Sequence, residues 1–204
     1  WSWDHPERLL KIEVPVFAGE IKDLDWDHES KKIVAVGDGS GQLAKVFVWD
    51  TGNSVGEMVG HNKRVISVSY RPTRPFRIFT ASEDMSTLFY AGPPFRLDHS
   101  NRCHTNFANC VRFSPDGNHA VSVGADKKGE YFLTIIFSDF NSPDRGLTNN
   151  LCFNGQQIQL YDGKTGEPTR EVADAHTGSI YSVAWNPESN KFLTASADKT
   201  VKLW

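Results

Sequence analysis

The chain has 204 residues, 39% of them hydrophobic, and a formal net charge of −3 with its acids and bases interspersed. That is core enough for one domain, and no block of Lys and Arg marks a nucleic-acid stripe or a membrane-binding face. No apolar run nears the length of a membrane-spanning helix and no signal peptide opens the chain, while Cys103, Cys110 and Cys152 are odd in number and lack metal-site spacing, so a reduced, cytoplasmic compartment is expected.

In chain order, Ser2-Trp3-Asp4 reads as the close of a strand, the end (1–4) of a repeat that begins earlier. A first full repeat, 5–50, carries Ile21, Leu24 and Trp26, a strand at Ile33-Val34-Ala35-Val36, and a last strand Val46-Phe47-Val48-Trp49-Asp50. It has no turn histidine. The second repeat, 51–91, has Gly60-His61, the strand Val65-Ile66-Ser67-Val68-Ser69-Tyr70, then Ser82, Asp84 and the closing run Thr87-Leu88-Phe89-Tyr90. The third, 92–162, has His104, Cys110-Val111-Arg112-Phe113, the turn Ser114-Pro115-Asp116-Gly117, Asp126, and the closing run Ile158-Gln159-Leu160-Tyr161-Asp162. Gly124 stands where its neighbours have a strand serine, so its polar set reads as incomplete. The fourth, 163–204, is the most regular. A turn at His176-Thr177-Gly178-Ser179 leads into a strand of alternating character from Ile180 to Trp185. Turn chemistry at Asn186-Pro187 follows, then Phe192-Leu193-Thr194-Ala195-Ser196, a tight Ala197-Asp198-Lys199 turn, and a strand ending on Trp204.

The closing aromatics Trp3, Trp49, Tyr90, Tyr161 and Trp204 are 46, 41, 71 and 43 residues apart. A period in the low forties, ending each time on a β-rich run with an aromatic, marks four-stranded propeller blades. The expected fold is all-β: about four repeats of a larger β-propeller, incomplete at both ends, since most propellers have six to eight blades. The third interval is too long, and removing 130–157, 28 residues, restores a spacing of 43. Two readings stay open, a loop extruded between strands or a retained intron, for which Gly129-Glu130-Tyr131 can encode a splice-donor sequence. The apolar, β-prone run Tyr131-Phe132-Leu133-Thr134-Ile135-Ile136-Phe137 is unusual for an exposed loop.

The fourth repeat resembles the WD-repeat family. There a turn His, a strand Ser, a turn Asp and the closing Trp form a hydrogen-bonded chain inside the blade. The matching residues are His176, Ser196, Asp198 and Trp204, with His61, Ser82 and Asp84 in the second repeat. The resemblance implies architecture rather than catalysis for them. The recurrence of His61, His104 and His176 at the repeat turn agrees, because a catalytic histidine is needed once. Gly37-Asp38-Gly39-Ser40-Gly41 is a strand-to-strand turn and not a phosphate loop, which would open a helix. No enzymatic activity, cofactor or metal is expected.

Segments between the strands resemble a narrower group. Pro15-Val16-Phe17-Ala18-Gly19-Glu20, Arg74-Pro75-Phe76-Arg77, Ala91-Gly92-Pro93-Pro94-Phe95 and Tyr161-Asp162-Gly163-Lys164-Thr165-Gly166-Glu167 are similar to the actin-interacting protein 1 family. That resemblance implies two seven-bladed propellers in tandem, with this segment from the first, and residence in the cytoplasmic actin cytoskeleton. It implies binding to actin filaments decorated by cofilin, promotion of filament disassembly and capping of barbed ends, with no nucleic acid or membrane partner. The family's actin-facing positions fall here on Glu83, Asp84, Phe95, Arg96, Leu97 and Phe107, expected on exposed loops. Phe95 alternatively packs beneath its own loop, and Asp84 also belongs to the in-blade set. The family often has Phe at the place of Leu97 and an acid at the place of Gly41. The alternative function is a WD-repeat scaffold of another complex, such as the substrate receptor of a ubiquitin ligase.

Overall fold

A computed structural model describes residues 10, 12–39, 41–126 and 156–204. Trp3, Cys152 and nearly all of the 130–157 stretch lie outside the described residues, and so do the loop and intron readings attached to that stretch.

The described chain is built from strands. The first sheet holds β1 (Glu20–Trp26), β2 (Lys32–Asp38), β3 (Ala44–Val48) and β4 (Ser54–Glu57). The second holds β5 (Val65–Tyr70), β6 (Arg77–Ser82), β7 (Thr87–Ala91) and β8 (Arg96–Asn101). The third holds β9 (Ala108–Phe113), β10 (His119–Gly124), β11 (Gln156–Asp162) and β12 (Pro168–His176), and the fourth holds β13 (Ile180–Trp185), β14 (Phe192–Ser196) and β15 (Val201–Leu203). Each is an antiparallel meander, with every strand beside its predecessor. Among the described residues there is no helix, and none therefore long and apolar enough to cross a membrane.

Strands such as β6, Arg-Ile-Phe-Thr-Ala-Ser, are buried along nearly their whole length on both faces, because each inner sheet is covered by two neighbours. The packing explains why apolar residues run on instead of alternating cleanly with polar ones. Val34, Val46, Ile78, Leu88, Tyr90 and Phe95 fill the space between the first two sheets. Phe79, Phe89, Val111, Phe113 and Tyr161 fill the next, and Val121, Val123, Ile158, Ile180 and Phe192 the third. Each such side chain, buried whole, contributes about 1.5–3 kcal/mol.

Hydrogen bonds between first strands show how the sheets are arranged. Asp23 Oδ2 accepts from Val68 N at 3.0 Å and Asp25 Oδ2 from Tyr70 N at 2.7 Å. Ser67 Oγ accepts from Val111 N at 3.3 Å and Ser69 Oγ from Phe113 N at 3.1 Å. Partner numbers rise together, so the first strands run parallel, line one axis and share their ends. Arg112 crosses behind them and meets Asp23 at 3.1 Å. Four sheets fanned about a common axis are four blades of a propeller.

The third strand of each blade ends where the sequence repeat ends. β4, β8 and β12 open the next repeat yet pair back onto the sheet before it. β10 and β11 pair directly, Val123 opposite Ile158, and Gln156 and Gln157 belong to β11, with Gln156 opposite His176. The last two residues of the 130–157 stretch thus lie in β11: their side chains are buried, and Gln156 is paired with His176. This topology places the linkers between blades, and the turns between second and third strands, at one end of the arc. The remaining turns lie at the far end.

Candidate docking surface

A polar chain organises the first of these ends. In the second blade His61 Nδ1 lies 2.9 Å from Asp84 Oδ2, and Nε2 lies 2.8 Å from Thr80 Oγ1. In the third, His104 bridges Asp126 at 2.9 Å and Ser122 at 2.8 Å, and Ser122 Oγ is 3.0 Å from Tyr161 Oη. In the fourth, His176 bridges Asp198 at 2.8 Å and Thr194 at 2.7 Å, and Trp204 Nε1 donates to Thr194 Oγ1 at 2.9 Å.

Two expectations are corrected. The chain passes through Thr80 and Thr194, not through Ser82 and Ser196. Those serines instead staple turn to linker: Ser82 Oγ donates to Arg64 O at 2.8 Å and Ser196 Oγ to Gly178 O at 2.7 Å. The third blade's set is also complete, and Gly124 is what makes room for it. A Cβ there would stand 2.7 Å from His104 Nδ1 and 2.8 Å from Phe107 O.

Burial alone would raise the carboxyls of Asp84 and Asp126. The bonds from His61 and Ser86, and from His104, Thr105 and Asn106, outweigh it and hold both below the ordinary carboxylate range. Asp198 is held low first by the Thr200 hydroxyl. With these groups committed to one another, and no cluster of three or more metal-binding side chains among the described residues, the network fastens loops and leaves other side chains free to face outward.

The structure divides the expected site residues. Glu83 and Asp84 lie in the β6–β7 turn at the network end. Asp84 is engaged within the blade, while Glu83 meets Arg64 at 3.3 Å. Phe107, in the linker before β9, is 41% exposed, and its carbonyl accepts from Ala125 N at 2.8 Å. Arg96 opens β8 and is exposed at the far end, a strand length of roughly 17 Å from Glu83. Leu97, next along, is exposed, with its side chain against the Gly60 linker. Phe95 is corrected outright. It is 2% exposed, has φ 63°, and packs edge-on against Tyr70 at 5.8 Å, so it is core.

Exposed large hydrophobics in the blades fall into two groups. Ile21, Leu24 and Trp26 on the first, and Tyr181, Leu193, Val201 and Leu203 on the fourth, belong to the outermost blades of the arc. Val59, Met85, Leu97 and Phe107 belong to the inner part, and all lie on or against the linkers and turns of the network end. Val59 and Met85 were missed from the sequence. The available signal was an apolar residue placed in a linker or turn, outside any strand periodicity.

The model of the WD domain, G-beta repeat, matches residues 52–90, 96–128 and 166–204. The chain is similar along its whole length to WD repeat-containing protein 1 of Gallus gallus and of Mus musculus, 42% identical over 206 residues in each case. It is 38% identical over 205 residues to Actin-interacting protein 1 of Drosophila melanogaster. It spans 29% of the length of these relatives. Three matched repeats, a His–Asp pair in each of the last three blades and closing aromatics on the third strands place this chain in the WD-repeat family, as part of a β-propeller.

Proposed function

We propose that this chain is part of an actin-binding scaffold that acts with cofilin to promote filament disassembly and barbed-end capping in the cytoplasmic actin cytoskeleton. The observation that carries the reading is a chain 38–42% identical to relatives that include an actin-interacting protein, with its inner exposed hydrophobics gathered at one end of the blades. Glu83, Leu97 and Phe107 form the contact. No bond is broken. A surface that binds the cofilin-altered filament better than the bare one shifts the equilibrium by that preference alone.

Cosedimentation of the full-length protein with filaments, with and without cofilin, tests this. Binding is expected to rise with cofilin and to weaken in Phe107→Ala. Equal binding to bare and decorated filaments removes the mechanism. A substrate receptor of another complex would not cosediment.

A further inference from the structure

Between the first two blades, at the network end, lies a groove of about 450 Å³. Leu43, Ala44 and Met58 supply the apolar part of a mixed lining, and Val59 stands in its wall at 70% exposure, the highest of any large hydrophobic among the described residues. Burying such an isolated aliphatic group is favourable, and none of the described residues covers it. The groove reaches two residues already placed on the surface. Arg64, on its rim, lies 3.7 Å from Asp38 and 3.3 Å from Glu83, so one guanidinium ties the groove to Glu83. Gly60, in its wall, has φ 133°, and a Cβ there would stand 2.8 Å from Leu88 and 3.3 Å from Leu97. Only a glycine allows this close pass, which seats the linker at the groove's wall against Leu97.

The rim charges are unequal in their commitments. Arg64 is shared by two carboxylates. Lys63, exposed beside it, accepts through its backbone carbonyl from Ser82 Oγ at 3.2 Å, and its ammonium makes no ion pair among the described residues. A pocket lined by apolar and polar groups in similar measure, with one uncommitted cation on its rim, suits an aliphatic side chain with a carboxylate next to it.

We infer that this groove is the anchor pocket of the docking surface. It receives an aliphatic side chain from the filament-side protein, and the adjoining carboxylate of that protein pairs with Lys63. The inference rests on the filament-docking reading and adds where the binding energy concentrates.

The test uses the full-length protein with Val59→Asp, Lys63→Glu and Phe107→Ala, measuring affinity for cofilin-decorated filaments and the melting temperature of each. Val59→Asp is expected to weaken binding about tenfold and Lys63→Glu about threefold, with melting unchanged and the Lys63→Glu loss shrinking as salt rises. If Phe107→Ala weakens binding while both groove variants bind as wild type, the groove is overturned and the filament reading stands. If the wild type does not bind decorated filaments, that reading fails and the groove falls with it. If Val59→Asp melts much lower, Lys63→Glu decides, and unchanged binding overturns the pocket.

Discussion

At the far end of the second blade Phe95 and Arg71 are buried, 2% and 1% exposed, whereas at the network end Phe107 is exposed and Arg64 is half-buried on the surface beside Asp38 and Glu83. The residue types match and the roles are reversed. At the far end the turns have no histidine chain to hold them. Side chains do the fastening: Arg71 Nε donates to Gly117 O at 2.8 Å, and Nη1 donates to Thr73 O at 3.1 Å and to Pro75 O at 3.2 Å, joining the turns of two blades. Phe95 plugs the gap between the first and second blades beside Tyr70. At the network end the His–Asp pairs already fix the loop backbones, so large side chains there are released from packing. Where the backbone of a propeller loop is held by its own polar set, its aromatics become available to a partner.

The sharpest way to break that comparison is to truncate one phenylalanine at each end. Phe95→Ala empties a closed site and should cost about 3–4 kcal/mol, seen as a lower urea midpoint, while filament affinity per folded molecule stays the same. A variant of unchanged stability that had lost filament binding would put Phe95 on the docking surface and reverse the assignment of the two ends. Next in size comes Asp126→Ala, which strips the partner from His104 and from the amides of Thr105 and Asn106. Leaving those donors unmatched in a buried site should cost about 2 kcal/mol. Gly124→Ala should destabilise for the complementary reason, since the added methyl meets His104, Phe107 and Asp126. Its full stability would mean that the close approach at Gly124 is not needed.

The repeats, their closing aromatics and the turn His–Asp pairs were legible because each blade uses the same strand and turn chemistry at a near-constant period. Burial within a turn was not. Phe95 follows Gly92-Pro93-Pro94, a turn composition that reads as exposed, and only the positive φ of Phe95 turns its ring inward. The hydroxyl partners of His61 and His176 were misread for a different reason. Thr80 and Ser82 are two residues apart on β6, so period-two logic places both on one face and cannot choose between them. Gly124 looked like a missing partner because a sequence shows the absence of a side chain but not the crowding that requires it.

Acid titration separates the two kinds of carboxylate. Asp84, Asp126 and Asp198 are held below their ordinary values in the fold, so the stability they contribute is complete above about pH 5 and is lost as pH falls through 4 and below. Asp25, beside the axis, is shifted the other way, raised chiefly by burial. Its protonated form suits the fold, so it gives back some stability as pH drops toward its ordinary value. The urea midpoint of the wild type should therefore be flat near neutral pH and fall below about pH 4, and the fall should be shallower in Asp126→Asn. An identical slope in both proteins would mean that the His104–Asp126 pair is not the acid-sensitive element.

The smallest expected effect on stability compares two turns of the same shape. Met85 in the second blade and Lys199 in the fourth both have φ 68° and both follow the aspartate that holds the turn histidine. Any backbone cost of that conformation is common to both, so exchanging the side chains should not alter it. Met85 is 39% exposed and close in sequence to Glu83, so Met85→Lys should change stability by less than about 0.5 kcal/mol. It should nevertheless weaken binding to decorated filaments about twofold to threefold, because an apolar contact is replaced by a strongly hydrated cation. The reciprocal Lys199→Met, in a blade whose turn has no role in the proposed surface, should bind as wild type. If both exchanges leave binding unchanged while Phe107→Ala weakens it, the surface narrows to the linker between the second and third blades. If Lys199→Met alters binding as strongly as Met85→Lys, the docking surface extends along the network end to the fourth blade.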